Sequence, residues 1–328
     1  MEEIRLGTIG SGVIVHSILD NVRITEGVHL EAVYSRSEER GAALAAEYGA
    51  KKVYTDMDAF LADEAVNAVY IATPNLLHFG QAKRALLAGK HVILEKPFCT
   101  KAEHARELVE LARQKHLLLV DAVPPSFGPN FEILRRQLLK IGKIKLVMTN
   151  FSQYSSRYDK LLAGELPNIF NPAYAGGCLM DINFYNIYLN VALFGAPRDA
   201  VYVPNLFPGA ADTSGVAVLR YDGFVSQNAG AKDTWGVNFV QIEGEQGYIY
   251  VRDGSAAFTD VRVVTRDGEA VYDEQPNPDR WFYEVQAVTK LLLEERYDEM
   301  NRRLDTMLDV ISTIEQARKK AGILFPGD

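Results

Sequence analysis

The stretch His91-Val-Ile-Leu-Glu-Lys-Pro-Phe98 is an apolar run that ends abruptly in an acid, a cation and a proline. This pattern is typical of a buried parallel strand that reaches its carboxyl end. Because ligands bind at the carboxyl ends of strands in open α/β sheets, we expect Lys96 to project into a cleft. Pro97 has no N–H group for a neighbouring strand and sets the chain direction after the lysine. Judged by its position alone, Lys96 could equally well be a surface lysine before a loop proline.

The residues up to Val123 alternate between strand-like runs and helical stretches. The predicted strands are 4–9, 28–35, 53–54, 68–72, 91–95 and 117–123. The predicted helices are 13–22, 38–48, 57–62, 76–88 and 102–115, with Thr100 and Glu103 as a capping box for the last of these. Such alternation predicts an α/β domain over residues 1–123, with a doubly wound parallel sheet.

A glycine-containing turn, Gly7-Thr-Ile-Gly-Ser-Gly-Val-Ile-Val15, joins the first strand to the first helix. Gly10 and Gly12 are placed for a tight turn and for close backbone approach to a pyrophosphate, and the helix N-terminus would supply N–H donors. Val15 stands where the third glycine of this fingerprint serves helix–strand packing. We favour a cofactor site over a simple turn. The predicted cofactor-binding residues of this turn are Gly10, Ser11, Gly12, Val13 and Ile14.

The second strand ends in Tyr34-Ser-Arg-Ser37, and no acid occurs before Glu38. A site that prefers NAD usually has Asp or Glu there to hold the ribose 2′-hydroxyl. Ser35, Arg36 and Ser37 instead offer hydroxyls and a cation, which suit a 2′-phosphate, although a solvated arginine is the simpler interpretation. The pattern favours NADP, with NAD as the alternative.

The fourth strand ends in Ala72-Thr-Pro-Asn75, and His78 follows on the next helix. An N-cap role alone would explain Asn75. The carboxyl edge of the sheet makes contact of Thr73, Pro74 and Asn75 with a cofactor ribose an equally good interpretation. His78 is expected to be structural rather than catalytic, and it is counted with Thr73, Pro74 and Asn75 among the predicted cofactor-binding residues.

Composition limits the partners of this 328-residue chain. Its 48% hydrophobic and 24% charged residues are typical of a globular protein, and its net charge of −8 with no basic block argues against nucleic acid and anionic membranes. The two cysteines lack metal-ligand spacing, which predicts free thiols in a reducing compartment and no metal site. No signal peptide or membrane span is evident, so a cytoplasmic protein is expected.

Beyond residue 123 the pattern changes to a helix at 131–141, strand-like alternation at 145–152, and strands alternating with turns from 201 to about 272. Asp222-Gly223 and Asp267-Gly268 are strong hairpin turns. Helices at 280–295 and 301–320 close the chain, and the last could pack on the first domain. We predict a second domain over residues 124–328, with a sheet whose free apolar face would support a homodimer or a dimer of dimers.

Two segments of the second domain carry polar residues suited to a small hydroxylated substrate. The aperiodic stretch 153–176 contains Tyr154 and Arg157, although rim packing is the plainer interpretation of either. In the helical stretch 176–195, Asp181 and Tyr185 lie on one face with Tyr188. A hydrogen-bonded patch beneath a loop would also explain that stripe.

Gly10-x-Gly12, Thr73-Pro-Asn75 with His78, Gly89-Lys-His and Glu95-Lys-Pro97 together resemble the glucose-fructose oxidoreductase/inositol dehydrogenase/MocA family of NAD(P)-dependent oxidoreductases. The resemblance covers essentially the whole chain. It implies a Rossmann domain followed by an α+β domain with a large, mainly antiparallel sheet. It also implies that Glu95, Lys96 and Pro97 contact the cofactor, that Lys96 reaches the substrate, and that Pro97 follows a cis peptide.

Many members of that family carry Asp-x-Gly-x-His where this chain has Asp181-x-Asn183-x-Tyr185. A tyrosine there is similar to the dihydrodiol dehydrogenases, the NADP-dependent xylose dehydrogenases and glucose-fructose oxidoreductase, whereas inositol-dehydrogenase-type relatives keep the histidine. All six histidines of this chain lie at or before His116, so the second domain offers no histidine acid.

The resulting hypothesis is hydride transfer between carbon 4 of a nicotinamide and a carbinol or carbonyl carbon of a sugar, polyol or cyclic diol. Tyr185 would transfer the proton, Lys96 would lower its pKa from the usual value of about 10, and Asp181 would orient Lys96 or a substrate hydroxyl. Two alternatives are an NAD-dependent glycosidase with transient redox chemistry and a non-catalytic NADP(H)-sensing protein.

Overall fold

The computed structural model describes residues 1–328, which divide into two compact units. The first unit comprises Met1–Val123 and Trp281–Leu308, and the second comprises Pro124–Arg280 and Asp309–Asp328. The boundary after Val123 lies where the sequence pattern changes. Residues 281–308 belong to the first unit although they were predicted within the second domain; for the part of the last helix up to Leu308 this agrees with the expectation that it could pack on the first domain.

The first unit contains a parallel six-stranded sheet in the order β3-β2-β1-β4-β5-β6. Its strands are β1 (Ile4–Ile9), β2 (Val28–Tyr34), β3 (Lys52–Tyr54), β4 (Ala68–Ile71), β5 (His91–Glu95) and β6 (Leu119–Ala122). Its first helices are α1 (Val13–Val22), α2 (Glu38–Tyr48), α3 (Met57–Ala62), α4 (His78–Leu87) and α5 (Ala102–Gln114). This strand order is that of the Rossmann fold, which confirms the predicted fold class of this half.

The central strands of this sheet are buried on both faces, as expected for a parallel sheet with helices on each side. Every residue of β4 is buried, and four of the five residues of β5 are. The long apolar runs of the sequence therefore lie at the middle of the unit, and their carboxyl ends meet at one edge of the sheet. That edge carries Lys96 and the glycine-containing turn.

One predicted helix start and one predicted helix cap in this unit are wrong. Asn75 does not cap α4; it begins a 3₁₀ turn over Asn75–Leu77, which the Leu77 N–H closes by donating to the Pro74 carbonyl at 2.9 Å. The tighter turn delays the first α-helical residue to His78. The N-cap of α5 is Lys101, with no side-chain cap, so Thr100 and Glu103 do not form the expected capping box.

The second unit contains an eight-stranded sheet in the order β14-β13-β12-β11-β7-β10-β9-β8. Its strands are β7 (Ile144–Ser152), β8 (Asp199–Leu206), β9 (Asp212–Arg220), β10 (Val225–Ala231), β11 (Phe239–Gly244), β12 (Gly247–Arg252), β13 (Val261–Thr265) and β14 (Gly268–Tyr272). Strands β7 and β10 run parallel, and all other neighbours are antiparallel. The mainly antiparallel sheet implied by the family resemblance is therefore confirmed.

Seven helices complete the chain. They are α6 (Pro129–Gln137), α7 (Tyr158–Leu162), α8 (Cys178–Asp181), α9 (Asn183–Phe194), α10 (Gly254–Ala257), α11 (Arg280–Leu293) and α12 (Tyr297–Lys320). Within the first unit, Arg303 of α12 donates to the fully buried Asp121 carboxylate at 3.0 and 3.2 Å. Gln286 of α11 donates to the Thr25 hydroxyl at 2.8 Å. These contacts explain why residues 281–308 belong to this unit.

The helical stretch that carries Asp181 and Tyr185 is interrupted, which the sequence analysis did not predict. Ile182, with φ −99° and ψ −36°, separates α8 from α9. Asp181 is the last residue of α8, and Tyr185 lies in the first turn of α9. The predicted regular i, i+4 spacing along one continuous helix is therefore wrong at this point.

Helix α9 is attached to β10 by a ladder of buried asparagines, which we call the amide ladder: Asn183, Asn186 and Asn190 of α9 with Asn228 of β10. Asn186 donates to Asn183 Oδ1 at 2.9 Å and to the Ala229 carbonyl at 2.8 Å. Asn190 donates to Asn228 Oδ1 at 2.7 Å. All four side chains are fully buried, and these bonds offset the cost of removing their amides from water.

The amide ladder accounts for Asn183, which stands where relatives of the predicted family carry glycine. A Cβ on Gly230 of β10 would lie 2.8 Å from the Asn183 Cβ and 3.1 Å from the Cys178 sulfur. The missing side chain at Gly230 therefore makes room for the side chain at Asn183. The asparagine at position 183 of α9 is therefore accommodated by Gly230 of the facing strand β10.

Both cysteines, Cys99 and Cys178, are free and buried, as predicted. Burial raises the pKa of each thiol well above its usual value, so both are unreactive at neutral pH. None of the helices is both long enough and apolar enough to cross a membrane.

Candidate active site

The turn after β1 has the geometry of a phosphate-binding loop. Gly10 has φ +123°, and a Cβ there would lie 2.4 Å from the Ala72 carbonyl oxygen, so only glycine fits. A Cβ on Gly12 would meet no atom within 4 Å, which leaves open space at the N-terminus of α1. Helix α1 has no side-chain cap and no acidic residue in its first turn. An anion is therefore well matched to these backbone N–H groups.

The other predicted loop residues, Ser11, Val13 and Ile14, adjoin Gly12 in the chain. Val13 is 78% exposed, which is unusual for an apolar residue at the start of a helix. Val15, at the third fingerprint position, is fully buried. Its side chain is therefore accommodated inside the unit, away from the open side of the turn.

The two glycines give a matched pair of variants. Gly10→Ala is expected to destabilise the protein by about 2–4 kcal/mol, because the added methyl group meets a backbone carbonyl at a positive φ. Gly12→Ala should change the free energy of unfolding by less than about 1 kcal/mol, yet weaken dinucleotide binding, because its methyl group enters only the open space. Thermal unfolding and cofactor titration of both variants measure the two effects. Equal stability of the two variants would contradict the steric argument.

At the carboxyl end of β2 the structure brings together the three predicted residues for the 2′-phosphate. The buried Ser35 accepts a hydrogen bond from the Ser37 N–H at 3.2 Å, and Ser37 caps α2 by accepting from the Arg40 N–H at 3.4 Å. Arg36 is exposed and makes no hydrogen bond or ion pair within the chain. A cation and two hydroxyl donors are thus available at this strand end, with no carboxylate among them.

The loops after β4 and β5 are tied together by His78. Its buried imidazole lies between two carbonyl oxygens, that of Thr73 at 2.8 Å and that of Pro97 at 2.9 Å. Burial lowers the pKa of this imidazole, and the positive charge of Lys96 lowers it further. A neutral imidazole has one N–H, so the ring donates to one of these carbonyls and contacts the other, and it lies between the two segments predicted to hold the cofactor.

The Glu95-Lys96-Pro97 segment has the predicted cis peptide before the proline. Glu95 is buried, accepts a hydrogen bond from the Tyr70 hydroxyl at 2.7 Å, and accepts another from the Lys96 N–H at 3.1 Å. The carboxylate therefore holds the backbone on which the partly buried Lys96 stands. Thr73, at the neighbouring strand end, donates from its hydroxyl to Gln81 at 2.6 Å.

In the second unit, Tyr185 is 5% exposed and lies among aromatic rings. Phe151 and Phe184 contact it edge to face, with ring centroids 5.9 and 6.0 Å away. The guanidinium of Arg280 lies 5.7 Å from the Tyr185 ring centroid. Packing therefore fixes the ring, and a cation lies beside it within the same unit.

Asp181 forms an ion pair with Lys232, a residue that the sequence analysis did not single out. Lys232 directly follows β10, and its side chain is 5% exposed, whereas that of Asp181 is 22% exposed. The structure therefore gives the Asp181 carboxylate a cationic partner within its own unit. The sequence analysis assigned Asp181 only to Lys96 or to a substrate hydroxyl.

The two other predicted substrate residues lie in the segment after β7. The Tyr154 hydroxyl donates to Asp159 at 2.6 Å, which raises the pKa of the phenol. Its ring stacks on Trp235 with a centroid distance of 5.7 Å and an interplanar angle of 7°. Arg157 is exposed at the start of α7. The Tyr154 hydroxyl is thus already hydrogen-bonded within the chain. Trp235, which stacks on its ring, is a further residue absent from the sequence prediction.

The residues up to Ala122 match the model of a known protein family. Residues 4–122 match the "oxidoreductase family, NAD-binding Rossmann fold" model of the GFO/IDH/MocA proteins. Residues 136–250 match the C-terminal domain model of the same proteins.

Individual relatives agree with that match. Over 327 residues, or 99% of each chain, this chain is 35% identical to the scyllo-inositol 2-dehydrogenase (NADP(+)) IolU of Bacillus subtilis. It is 27% identical over 307 residues to the D-xylose 1-dehydrogenase (NADP(+)) of Hypocrea jecorina, covering 84% of this chain and 78% of the other. The fold matches that of KijD10, a 3-ketoreductase from Actinomadura kijaniata, with a TM-score of 0.84, 23% identity and coverage of 97% and 98%.

Proposed function

Because the chain belongs to the GFO/IDH/MocA family of oxidoreductases, we propose that it is an NADP-preferring enzyme acting on a CH–OH group of a sugar, polyol or cyclic diol. The coarser activity, NAD(P)-dependent oxidation or reduction at such a group, is shared with its named relatives. The observation that carries the proposal is the open, uncapped N-terminus of α1 beside Gly12, which suits a dinucleotide pyrophosphate. A bound nicotinamide would supply a hydride donor or acceptor.

In this proposal the residues of the chain bind the cofactor, polarise the substrate and transfer the proton. Gly10 and Gly12 allow the phosphates to approach the backbone, and Thr73, Pro74 and Asn75 contact the ribose. Lys96, held through its backbone by Glu95, polarises the substrate oxygen. The Tyr185 hydroxyl donates or accepts the proton at that oxygen.

The preference for NADP is supported by the end of β2. Arg36 is exposed and unengaged there, with Ser35 and Ser37 beside it and no carboxylate for a ribose 2′-hydroxyl. Two relatives also carry NADP(+) in their names. NAD remains the alternative cofactor in this proposal.

Arg36→Ala is expected to weaken NADPH binding by about 10- to 100-fold, because a hydrogen-bonded charge pair with the 2′-phosphate would be lost. NADH binding should change by less than about threefold, since NADH lacks that phosphate. Fluorescence titration with both cofactors measures the difference. Arg40→Ala, which removes another exposed arginine on α2, controls for general loss of positive charge. An unchanged ratio of the two affinities in Arg36→Ala would rule out this role.

The proposed activity is tested by titrating the protein with NADP(H) and NAD(H), and then screening aldoses, deoxy-keto sugars, inositols and dihydrodiols. Turnover is followed by the absorbance of the reduced nicotinamide. Net reduction of NADP⁺ by a polyol or sugar supports the dehydrogenase. Release of sugar from a glycoside without net cofactor change would instead support the NAD-dependent glycosidase. Tight cofactor binding with no turnover of any substrate would indicate a sensing protein.

We further propose that two copies of the chain associate through the open face of the eight-stranded sheet. Exposed apolar side chains on this face include Val201, Val203, Val225 and Tyr248, with Val203 67% exposed. Val203→Asp is expected to convert a dimer into a monomer in sedimentation velocity, because it places a charge in the contact. Leu139→Asp, at an 88% exposed leucine outside the sheet, should leave the dimer intact. A monomeric wild-type protein would contradict this assembly.

A further inference from the structure

Lys232 is a buried ammonium whose donors are only partly used. A lysine ammonium carries three N–H donors, and the Asp181 carboxylate is the one protein group that accepts from Lys232 Nζ. The side chain is 5% exposed. A buried cation without its full set of acceptors is costly, so the two further donor directions call for oxygen atoms from another molecule.

The neighbouring carboxylates accept hydrogen bonds from other groups, although Asp212 Oδ1 is buried without a partner. Asp233 accepts hydrogen bonds from the Thr213 hydroxyl at 2.6 Å and from the Ser214 hydroxyl at 3.1 Å. Asp212 accepts from the Tyr202 hydroxyl at 2.7 Å and from the Leu179 N–H, at the start of α8, at 2.8 Å. Neither carboxylate forms an ion pair with Lys232, which leaves Asp181 as its direct counter-charge.

The backbone of Lys232 is held on both sides. Its N–H donates to the Thr213 carbonyl at 2.8 Å, and its carbonyl accepts from the Ser155 N–H at 2.9 Å. It continues β10, whose parallel neighbour β7 leads into the segment that carries Tyr154. Because carboxyl ends of parallel strands meet at one edge, Lys232 and the Tyr154 segment share an edge of the second sheet. Asp181 also reaches that edge, because its carboxylate is paired with Lys232.

We propose that Lys232 is a substrate-binding residue that determines specificity, a role that rests on the proposed function. Its Nζ donates hydrogen bonds to oxygen atoms on carbons next to the reacting carbon of the substrate. Asp181, paired with Lys232 and partly exposed, accepts a hydrogen bond from an adjacent hydroxyl. Together they select substrates in which the reacting carbon has oxygenated neighbours.

The test uses the full-length chain with NADP⁺ and two probes, scyllo-inositol and D-xylose. Lys232→Met keeps the length of the side chain and removes its donors. We expect the KM of the probe that the wild type oxidises to rise by about 10- to 100-fold, with kcat and NADP⁺ affinity within about threefold. Lys232→Gln, which retains N–H donors, should recover most of the affinity. Lys145→Met breaks an exposed ion pair with Glu245 in the same sheet and should change neither constant.

Lys232→Met leaves Asp181 without this counter-charge, so an unstable variant is a foreseeable result. The double variant Asp181→Asn/Lys232→Met removes both charges and is expected to fold and to retain the high KM. An active wild type whose KM is unchanged in Lys232→Met would overturn the role of Lys232 alone. A KM that rises equally in Lys232→Met and Lys232→Gln, with parallel losses of thermal stability, would reduce Lys232 to a structural residue. A wild type that oxidises neither probe nor any substrate of the screen would overturn the proposed function itself.

Discussion

Replacing Tyr185 with phenylalanine is expected to lower kcat by about 10²- to 10⁴-fold, the range typical of losing a general acid or base. The affinity for NADPH should stay within about twofold of the wild type, because the change removes one hydroxyl from the second unit. The ring packs against Phe151 and Phe184 through its edges and faces, and phenylalanine preserves those contacts. The loss should therefore be in proton transfer rather than in folding.

Stopped-flow and steady-state kinetics, with a thermal unfolding curve, measure this effect. Tyr221→Phe is the matched control, since it also removes a buried hydroxyl from the second unit, one that has no hydrogen-bond partner. Its kinetics should equal those of the wild type. Near-normal turnover by Tyr185→Phe would exclude Tyr185 as the proton donor or acceptor.

Lys96→Met is expected to lower kcat/KM by at least about 10³-fold, because both the positive charge and the donors to the substrate oxygen are lost. The segment itself should keep its conformation. Glu95 holds it through the Lys96 backbone N–H, and His78 contacts the Pro97 carbonyl, so neither contact depends on the lysine side chain. Lys83→Met, which breaks an exposed ion pair with Glu107 in the same unit, is the control.

The double variant Lys96→Met/Tyr185→Phe tests whether the two residues act on one proton. If they do, the double variant should lose little more than the worse single variant, within about tenfold, because residues that act as a unit are not additive. If the loss of the double variant equals the product of the two single-variant losses, each residue has an independent role. The rates are measured with a single substrate and saturating NADP⁺.

Most of the first unit could be predicted from local sequence. Its central strands are mainly apolar runs, and glycine or proline follows several of them within three residues, so most elements could be recognised without knowing their partners. Gly10 illustrates this, because the φ of +123° that the turn requires restricts the residue type directly. The errors at Asn75 and Thr100 concern helix boundaries, which shift by one or two residues without a clear local signal.

The second unit was less predictable because its site depends on partners distant in sequence. Lys232 follows a strand end just as Lys96 does, yet the hairpin pattern indicated only an antiparallel neighbour for β10. The parallel pairing with β7, which places the strand end at a shared edge, involves residues about eighty positions away. The break between α8 and α9 at Ile182 was likewise not visible in the hydrophobic periodicity.

The assignment of residues 281–308 failed for a related reason. Amphipathic periodicity shows that one face of α11 and α12 is buried, but it does not show which sheet buries it. The ion pair of Arg303 with Asp121 and the hydrogen bond of Gln286 with Thr25 decide this in favour of the first unit. Both contacts join residues more than 180 positions apart.

The amide ladder beneath α9 fixes the rotation of the helix that carries Tyr185, the residue proposed to transfer the proton. An interface made only of leucine and valine tolerates small rotations of a helix, because dispersion and hydrophobic contacts have little direction. The amides of Asn186 and Asn190 can satisfy their partners on β10 in a single rotational setting. Tyr185 directly precedes Asn186 on α9, so we infer that the rotation of the helix set by these amides also sets the direction of the Tyr185 hydroxyl. The amide hydrogen bonds would thereby give the proposed proton-transferring hydroxyl a defined direction.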